Sequence, residues 1–192
     1  AVDELVNQAA KNRFMFGGQG RVPLVVRQPI GVWRSSGAQH SQSLESWWVH
    51  IPGLVVTAPA TPADAYALLK AAIRCDDPVV HLEHKALWPL SGAAPESDAP
   101  AALGRAAIRR QGRDVTIVAF SRSCGDALTA AEELAEQGIE AEVIDLRTIR
   151  PLDVATIIAS LRKTNRLVTV EEGWPFAGIG SELAALAMEH AF

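Results

Sequence analysis

The chain has 192 residues with 18 basic and 22 acidic side chains, a formal net charge of −4 and 48% hydrophobic residues. That composition excludes disordered, collagenous and membrane classes, promises a core that needs no disulfide staples, and leaves no basic footprint for nucleic acid. No apolar run reaches the roughly 18 residues of a membrane span, and two distant cysteines, Cys75 and Cys124, point to a reducing compartment without a disulfide or metal framework.

Residues Ala1 to Arg13 read as the middle or end of a helix, with Val2, Leu5, Val6, Ala9 and Ala10 on one stripe. No initiator Met, cap or charged-then-apolar leader precedes them. Val22–Val26 opens a strand, and Pro29 to Gln39 reads as a polar, glycine-containing loop. Leu44, Trp47, Trp48 and Ile51 recur at helical spacing, and Pro52-Gly53 stops that helix. Leu54–Thr57 is a strand, Ala63–Arg74 a helix with Leu68, Leu69, Ala72 and Ile73 inward, and Val79–Leu82 the next strand. Residues 91–101 are small, polar and proline-containing, the composition of a linker. Beyond it come a strand at Val115–Phe120, a helix at Cys124–Gln137 stopped by Gly138 and a strand at Ala141–Leu146. A helix at Asp153–Lys163, a strand at Leu167–Glu171, a glycine-rich turn and a helix from Ser181 complete the chain. Strand and helix alternating in this way predict α/β architecture with parallel strands. The last helix meets no stop signal, so both ends read as cut.

Four constellations carry candidate chemistry. His40, in Gln39-His40-Ser41-Gln42-Ser43, is expected beside a helix N-terminus capped by Ser41 or Ser43. There the helix dipole favours a neutral imidazole able to exchange a proton; a polar capping cluster without chemistry explains the same residues. His81-Leu82-Glu83-His84 lies on a strand, where His81 and Glu83 share a face and His84 points away, which is not zinc spacing. Gly173 to Gly180, between a strand and a helix, could cradle a phosphate or be a structural turn. Glu171-Glu172 could serve acid–base work, or simply meet solvent and a nearby Arg. By residue types alone the chain is a two-part α/β protein and one component of an assembly.

Longer stretches carry a resemblance. "NRFMFGGQGRVPLVVRQP", "AQHSQSLESWWVHIPGLVV", "DAYALLKAAIRCDDPVVHLEHKALW", "GRDVTIVAFS", "EAEVIDLRTIRPLD" and "KTNRLVTVEEGW" resemble the beta subunits of thiamine-diphosphate-dependent 2-oxo-acid dehydrogenase components. The likeness runs in order through the whole chain. "AQHSQSLE" and "EEGW" resemble the pyruvate or acetoin type more than the branched-chain type. Trp33-Arg34 and Trp48 are bulkier than the family pattern.

The resemblance implies the C-terminal part of a pyrimidine-binding, transketolase-like domain over residues 1–90 and a linker over 91–101. An incomplete transketolase C-terminal-like, three-layer parallel-sheet domain over 102–192 follows. It implies oxidative decarboxylation of a 2-oxo acid, pyruvate being favoured, on thiamine diphosphate with Mg shared with an alpha subunit. The acyl group then passes to a lipoyl group of an acyltransferase core. The implied partners are that alpha subunit, a second beta subunit and that core, in the bacterial cytoplasm or the mitochondrial matrix. His40 matches the family's catalytic histidine. The cofactor-activating Glu belongs to a more N-terminal part of the family pattern, so no residue of this sequence is assigned to it. A potassium ion is implied at the turn after the helix that ends in "KAAIRCDDPVV", matching Ala72, Ile73, Cys75 and Asp77. Acetoin and branched-chain subunits, a transketolase-type enzyme and a non-catalytic docking module are the alternatives. Trp47, Trp48, Leu183, Leu186 and Ala187 are expected to be more apolar surface than the chain alone hides.

Overall fold

A computed structural model describes residues 1–93 and 98–191; four residues of the expected linker and Phe192 lie outside them. The chain begins with a π-helical turn, Glu4–Ala9, that runs into α1, Ala10–Met15. Leu5, Ala9 and Ala10 are the buried members of the expected stripe, whereas Val2 is exposed. Strand β1 (Val25–Ile30) extends through Pro29 into the stretch expected to be loop. Proline is tolerated there because β1 is an edge strand, where an N–H can go unpaired. Then come α2 (Glu45–Val49), β2 (Val55–Thr57), α3 (Pro62–Arg74) and β3 (Val79–His84). Thr61 caps α3, its hydroxyl accepting the Asp64 N–H at 3.1 Å, and Pro62 fills the first turn, where a missing N–H costs nothing.

The second half holds β4 (Ala107–Arg110), β5 (Val115–Ala119), α4 (Ser123–Glu136), β6 (Ala141–Asp145) and β7 (Thr148–Arg150). It closes with α5 (Val154–Thr164), β8 (Leu167–Val170) and α6 (Ile179–His190). Asp153 caps α5, accepting the Thr156 N–H at 3.2 Å, and Asn165 ends it with φ 54° in the left-handed region; the short polar side chain makes that conformation accessible.

Two four-stranded sheets result, in the orders β1-β3-β2-β7 and β4-β6-β5-β8. The strands expected from the sequence pair in parallel. Two further strands join them antiparallel: β7 pairs with β2, and β4 with β6. Both added strands are short edge strands, and β7 sits directly before Pro151, so neither carries the apolar run that marks a buried strand. β7 also takes residues from the second half into the first half's sheet.

The two halves share one core. Val56, Val80 and Leu82 of the first sheet cluster with Val118, Ile144 and Leu146 of the second region. A charged tie runs beside it. Asp64, at the start of α3, takes Arg147 Nε at 2.9 Å and also pairs with Arg109. Arg109 in turn reaches Asp145 at 2.8 Å.

Trp48, Leu183 and Ala187 are buried within the chain itself, against the expectation that they remain unhidden; Trp47 is exposed. The two tryptophans are consecutive on a helix, so 100° of rotation separates their directions. Large exposed apolar side chains lie instead at Phe14, Met15 and Phe16 and on the turn carrying Trp174 and Phe176.

Candidate active site

His40 ends a short 3₁₀ turn, Ala38–His40. Gly37 enters that turn at φ 76°, a conformation glycine adopts without strain. The position differs from the expected one. α2 begins only at Glu45, Leu44 precedes it without a side-chain cap, and neither Ser41 nor Ser43 caps it. Helix-dipole influence fades within a turn, and α2 begins five residues after His40. The main chain is held instead from the turn that follows β3: Lys85 Nζ donates to the His40 carbonyl. The imidazole stands exposed on a cleft of about 780 Å³ bounded by Gln28, Trp33, Gln39, Gln42 and Trp88. Trp33 and Trp88 form one wall, their ring centroids 6.1 Å apart and tilted by 56°. The Arg34 guanidinium lies 5.3 Å from the Trp33 centroid. An exposed imidazole among amides and aromatic faces can give or take a proton from a molecule entering the cleft.

The histidines of β3 part as strand geometry requires. His81 is buried, and its Nδ1 shares a 2.7 Å hydrogen bond with the Thr57 hydroxyl. Burial lowers its pKa, outweighing the nearby Glu83 charge. Glu83 pairs with Arg27 at 2.6 and 3.0 Å. His84, also buried, points the other way and reaches Glu172 Oε2 at 2.5 Å. Arg122 Nη1 donates to the other oxygen of Glu172 at 2.5 Å. Burial favours the protonated form of Glu172, but the His84 and Arg122 hydrogen bonds prevail and hold its carboxyl below the usual range.

Glu171 turns away from Glu172 and accepts the N–H groups of Ile179 and Gly180, at 3.0 and 2.7 Å. The start of α6 is therefore occupied by the chain's own carboxylate, and the glycine-rich turn is a cap rather than a phosphate cradle. A third carboxyl, Glu45, was not legible as part of this group. It is 1% exposed, and its Oε2 has no partner among the described residues. A Cβ on Gly173 would stand 3.1 Å from Glu45 Oε1 and 3.4 Å from Glu171 Oε2, so glycine lets the two carboxyls close around the turn. Burial, helped by the charges of Glu171 and Glu172, pushes the Glu45 carboxyl up to about 7. The one sequence signal was its place three residues before Trp48.

The expected potassium ligands sit at the C-terminus of α3. Ala72 is buried and its carbonyl accepts the Cys75 N–H at 3.2 Å, while Ile73 is exposed. The Asp77 carboxylate is engaged by Arg13, and Asp76 pairs with Arg21 at 3.3 Å. Among the described residues no group of three His, Cys, Asp or Glu side chains is placed to hold a metal. Any cation here would rest on backbone oxygens.

Comparison with known proteins agrees with this architecture. The family described as transketolase, pyrimidine binding domain, matches residues 2–90, and transketolase, C-terminal domain, matches residues 104–192. The pyruvate dehydrogenase E1 component subunit beta-1, mitochondrial, of Arabidopsis thaliana is 53% identical over 100% of this chain and 54% of its own length. The pyruvate dehydrogenase E1 component subunit beta of Rhizobium meliloti is 49% identical over 100% of this chain and 42% of its own length. The chain thus spans about half the length of the curated relatives it matches. A solved structure described as a split gene transketolase, inactive beta4 tetramer, superposes with a TM-score of 0.78. Its identity is 28%, over 98% of this chain and 58% of that one.

Proposed function

Because the chain belongs to the family of beta subunits of thiamine-diphosphate-dependent 2-oxo-acid dehydrogenase components, we propose that it supplies the proton-transferring histidine of a pyruvate dehydrogenase component. The observation that carries this reading is His40. Its backbone is tied down by Lys85 while its imidazole stands exposed on the Trp33–Trp88 cleft.

Thiamine diphosphate, when bound, supplies the carbanion chemistry that decarboxylates a 2-oxo acid. The residues present fit its reacting end better than its charged end. Gln28, Gln39, His40 and Gln42 offer neutral donors and acceptors around the cleft. With no metal-binding cluster among the described residues, the diphosphate and its Mg are assigned to an alpha subunit that closes the cleft. His40 then gives or takes a proton at an imidazole nitrogen, the Trp33–Trp88 wall excludes water, and Gln39 and Gln42 orient the substrate. The acyl acceptor is a lipoyl group on an acyltransferase core. The assembly pairs this chain with an alpha subunit and a second beta subunit, in the mitochondrial matrix or the bacterial cytoplasm. The linker at residues 91–101 divides the pyrimidine-binding part from the C-terminal part. A potassium ion binds main-chain oxygens at Ala72, Ile73, Cys75 and Asp77; the end of α3, with carbonyls that lack intrahelical partners, supports this.

The test uses the full-length subunit assembled with its alpha partner. General acid–base groups are worth about 10²–10⁴-fold, so His40→Ala should cut pyruvate-dependent acylation of a lipoyl domain by at least about tenfold with the melting temperature unchanged. Full activity in a correctly assembled variant overturns the reading. So does turnover of a ketose phosphate without an alpha chain, which would favour a transketolase-type enzyme.

A further inference from the structure

The described residues that bound the His40 cleft belong to the first half of the chain, yet the second half grips the strand that ends beside it. Arg122, at the foot of α4, holds Glu172, and Glu172 holds His84 at the end of β3. His84 Nδ1 accepts the Ala86 N–H at 3.1 Å. The hydrogen therefore resides on Nε2, which donates to Glu172; a partner on one ring nitrogen fixes the role of the other. The pair is well shielded, with side-chain exposures of 2% for His84 and 18% for Glu172.

Two contacts pass this fixed point on to the catalytic turn. Lys85, next in sequence, donates to the His40 carbonyl. Gly31 packs on the His84 ring so closely that a Cβ would overlap its Nε2 edge, and the Gly31 N–H donates to the Gln42 carbonyl at 2.8 Å. The loop bearing His40 is thus fastened at residues 40 and 42 to one buried imidazole and the residue after it.

We propose that Glu172 is a positioning residue for His40, acting through His84 and Lys85, so that the C-terminal half sets the place of a proton-transferring group it never touches. This rests on the assignment of His40 above. Glu172 lies outside the described lining of the cleft, so removing its tie displaces the imidazole and leaves those lining residues unchanged, and kcat falls while KM holds. Lys85 lines the cleft itself, so its variant is read chiefly by exchange and kcat.

The experiment compares Lys85→Met, Glu172→Ala, Glu172→Gln and the double variant Lys85→Met/Glu172→Ala, each in the full-length subunit assembled with its alpha partner. Backbone hydrogen exchange over residues 37–43 is read beside steady-state kinetics. Lys85→Met and Glu172→Ala should both speed exchange in that segment. Each should lower kcat by about tenfold, inside the roughly hundredfold that a 1 Å misplacement can cost, and Glu172→Ala should do so with KM within about twofold. Glu172→Gln keeps an acceptor for His84 and should recover most of the rate. Because the two residues act in series, the double variant should be no worse than the poorer single. Unchanged exchange in the single variants, or multiplicative losses in the double, overturns the proposal. Should Glu172→Ala fail to assemble, Glu172→Leu, which keeps the volume and removes the acceptor for His84, takes its place in the single and the double variant, with the same outcomes read. Exchange is independent of turnover: an active His40→Ala enzyme removes the assigned role of His40, whereas unaltered exchange beside an inactive one removes only the tie.

Discussion

A carboxyl oxygen sealed from water without a donor is expensive to ionise, and Glu45 carries one that has no donor among the described residues. Its carboxyl ordinarily titrates near 4.5 and is pushed up to about 7 by burial, with Glu171 and Glu172 adding their negative charge. The folded chain therefore binds more protons than the unfolded chain across that window. This group's contribution to stability falls as the pH rises from about 4.5 to about 7. In the uncharged isostere Glu45→Gln that dependence is gone. Relative to the parent, the variant should gain on the order of 2 to 3 kcal/mol between pH 5 and pH 8, read by urea unfolding at both pH values; a constant difference refutes a carboxyl titrating near neutrality. The sequence offered Glu171 and Glu172 either for acid–base work or for meeting solvent and a nearby Arg. Glu172 does meet Arg122, but also His84. Glu45 was hidden because α2 is five residues long, too short for periodicity to separate a buried acid from a solvated one.

Elements rich in local signal were legible. α3 carries Thr61, Pro62 and a stripe, and its limits fall where capping chemistry puts them. The stripe was misjudged at one point. Ile73 is 61% exposed whereas Ala71 is buried with Leu68 and Ala72. Position 71 lies three residues beyond Leu68 and shares its face, while position 73 lies five beyond and is rotated well away. Edge strands β4 and β7 escaped notice because they owe their pairing to neighbours rather than to an apolar run of their own. At the far end of α3, a potassium ion on the carbonyls of Ala72, Ile73, Cys75 and Asp77 would bind only the folded chain. It would stabilise by mass action, by about 2.7 kcal/mol at a hundredfold excess over its dissociation constant. Melting of the full assembly should rise in potassium relative to a large organic cation at equal ionic strength; equal melting temperatures rule the ion out.

For the whole molecule, two regions separable by composition behave as one body because a single apolar cluster spans both and Asp64 bridges them to Arg109 and Arg147. No local pattern encodes contacts between residues 83 positions apart, so this union could not be read from the chain. Urea should unfold it in one transition by both fluorescence and circular dichroism; separated transitions would show independent halves. Asp64→Ala strips a shielded anion from two guanidinium groups and should cost about 3 kcal/mol, the low end for breaking a buried pair, since both arginines keep some contact with water. Strand β7 bears on how the polypeptide tolerates scission. If the chain is cleaved between residues 91 and 101, the N-terminal fragment still needs residues 148–150 to cover β2. Alone it would present the N–H and C=O groups of Val55–Thr57 as a bare edge and aggregate through it. The two fragments produced together should co-purify as a noncovalent pair, and each produced alone should be insoluble, so soluble expression of either by itself would show that the exchanged strand is dispensable.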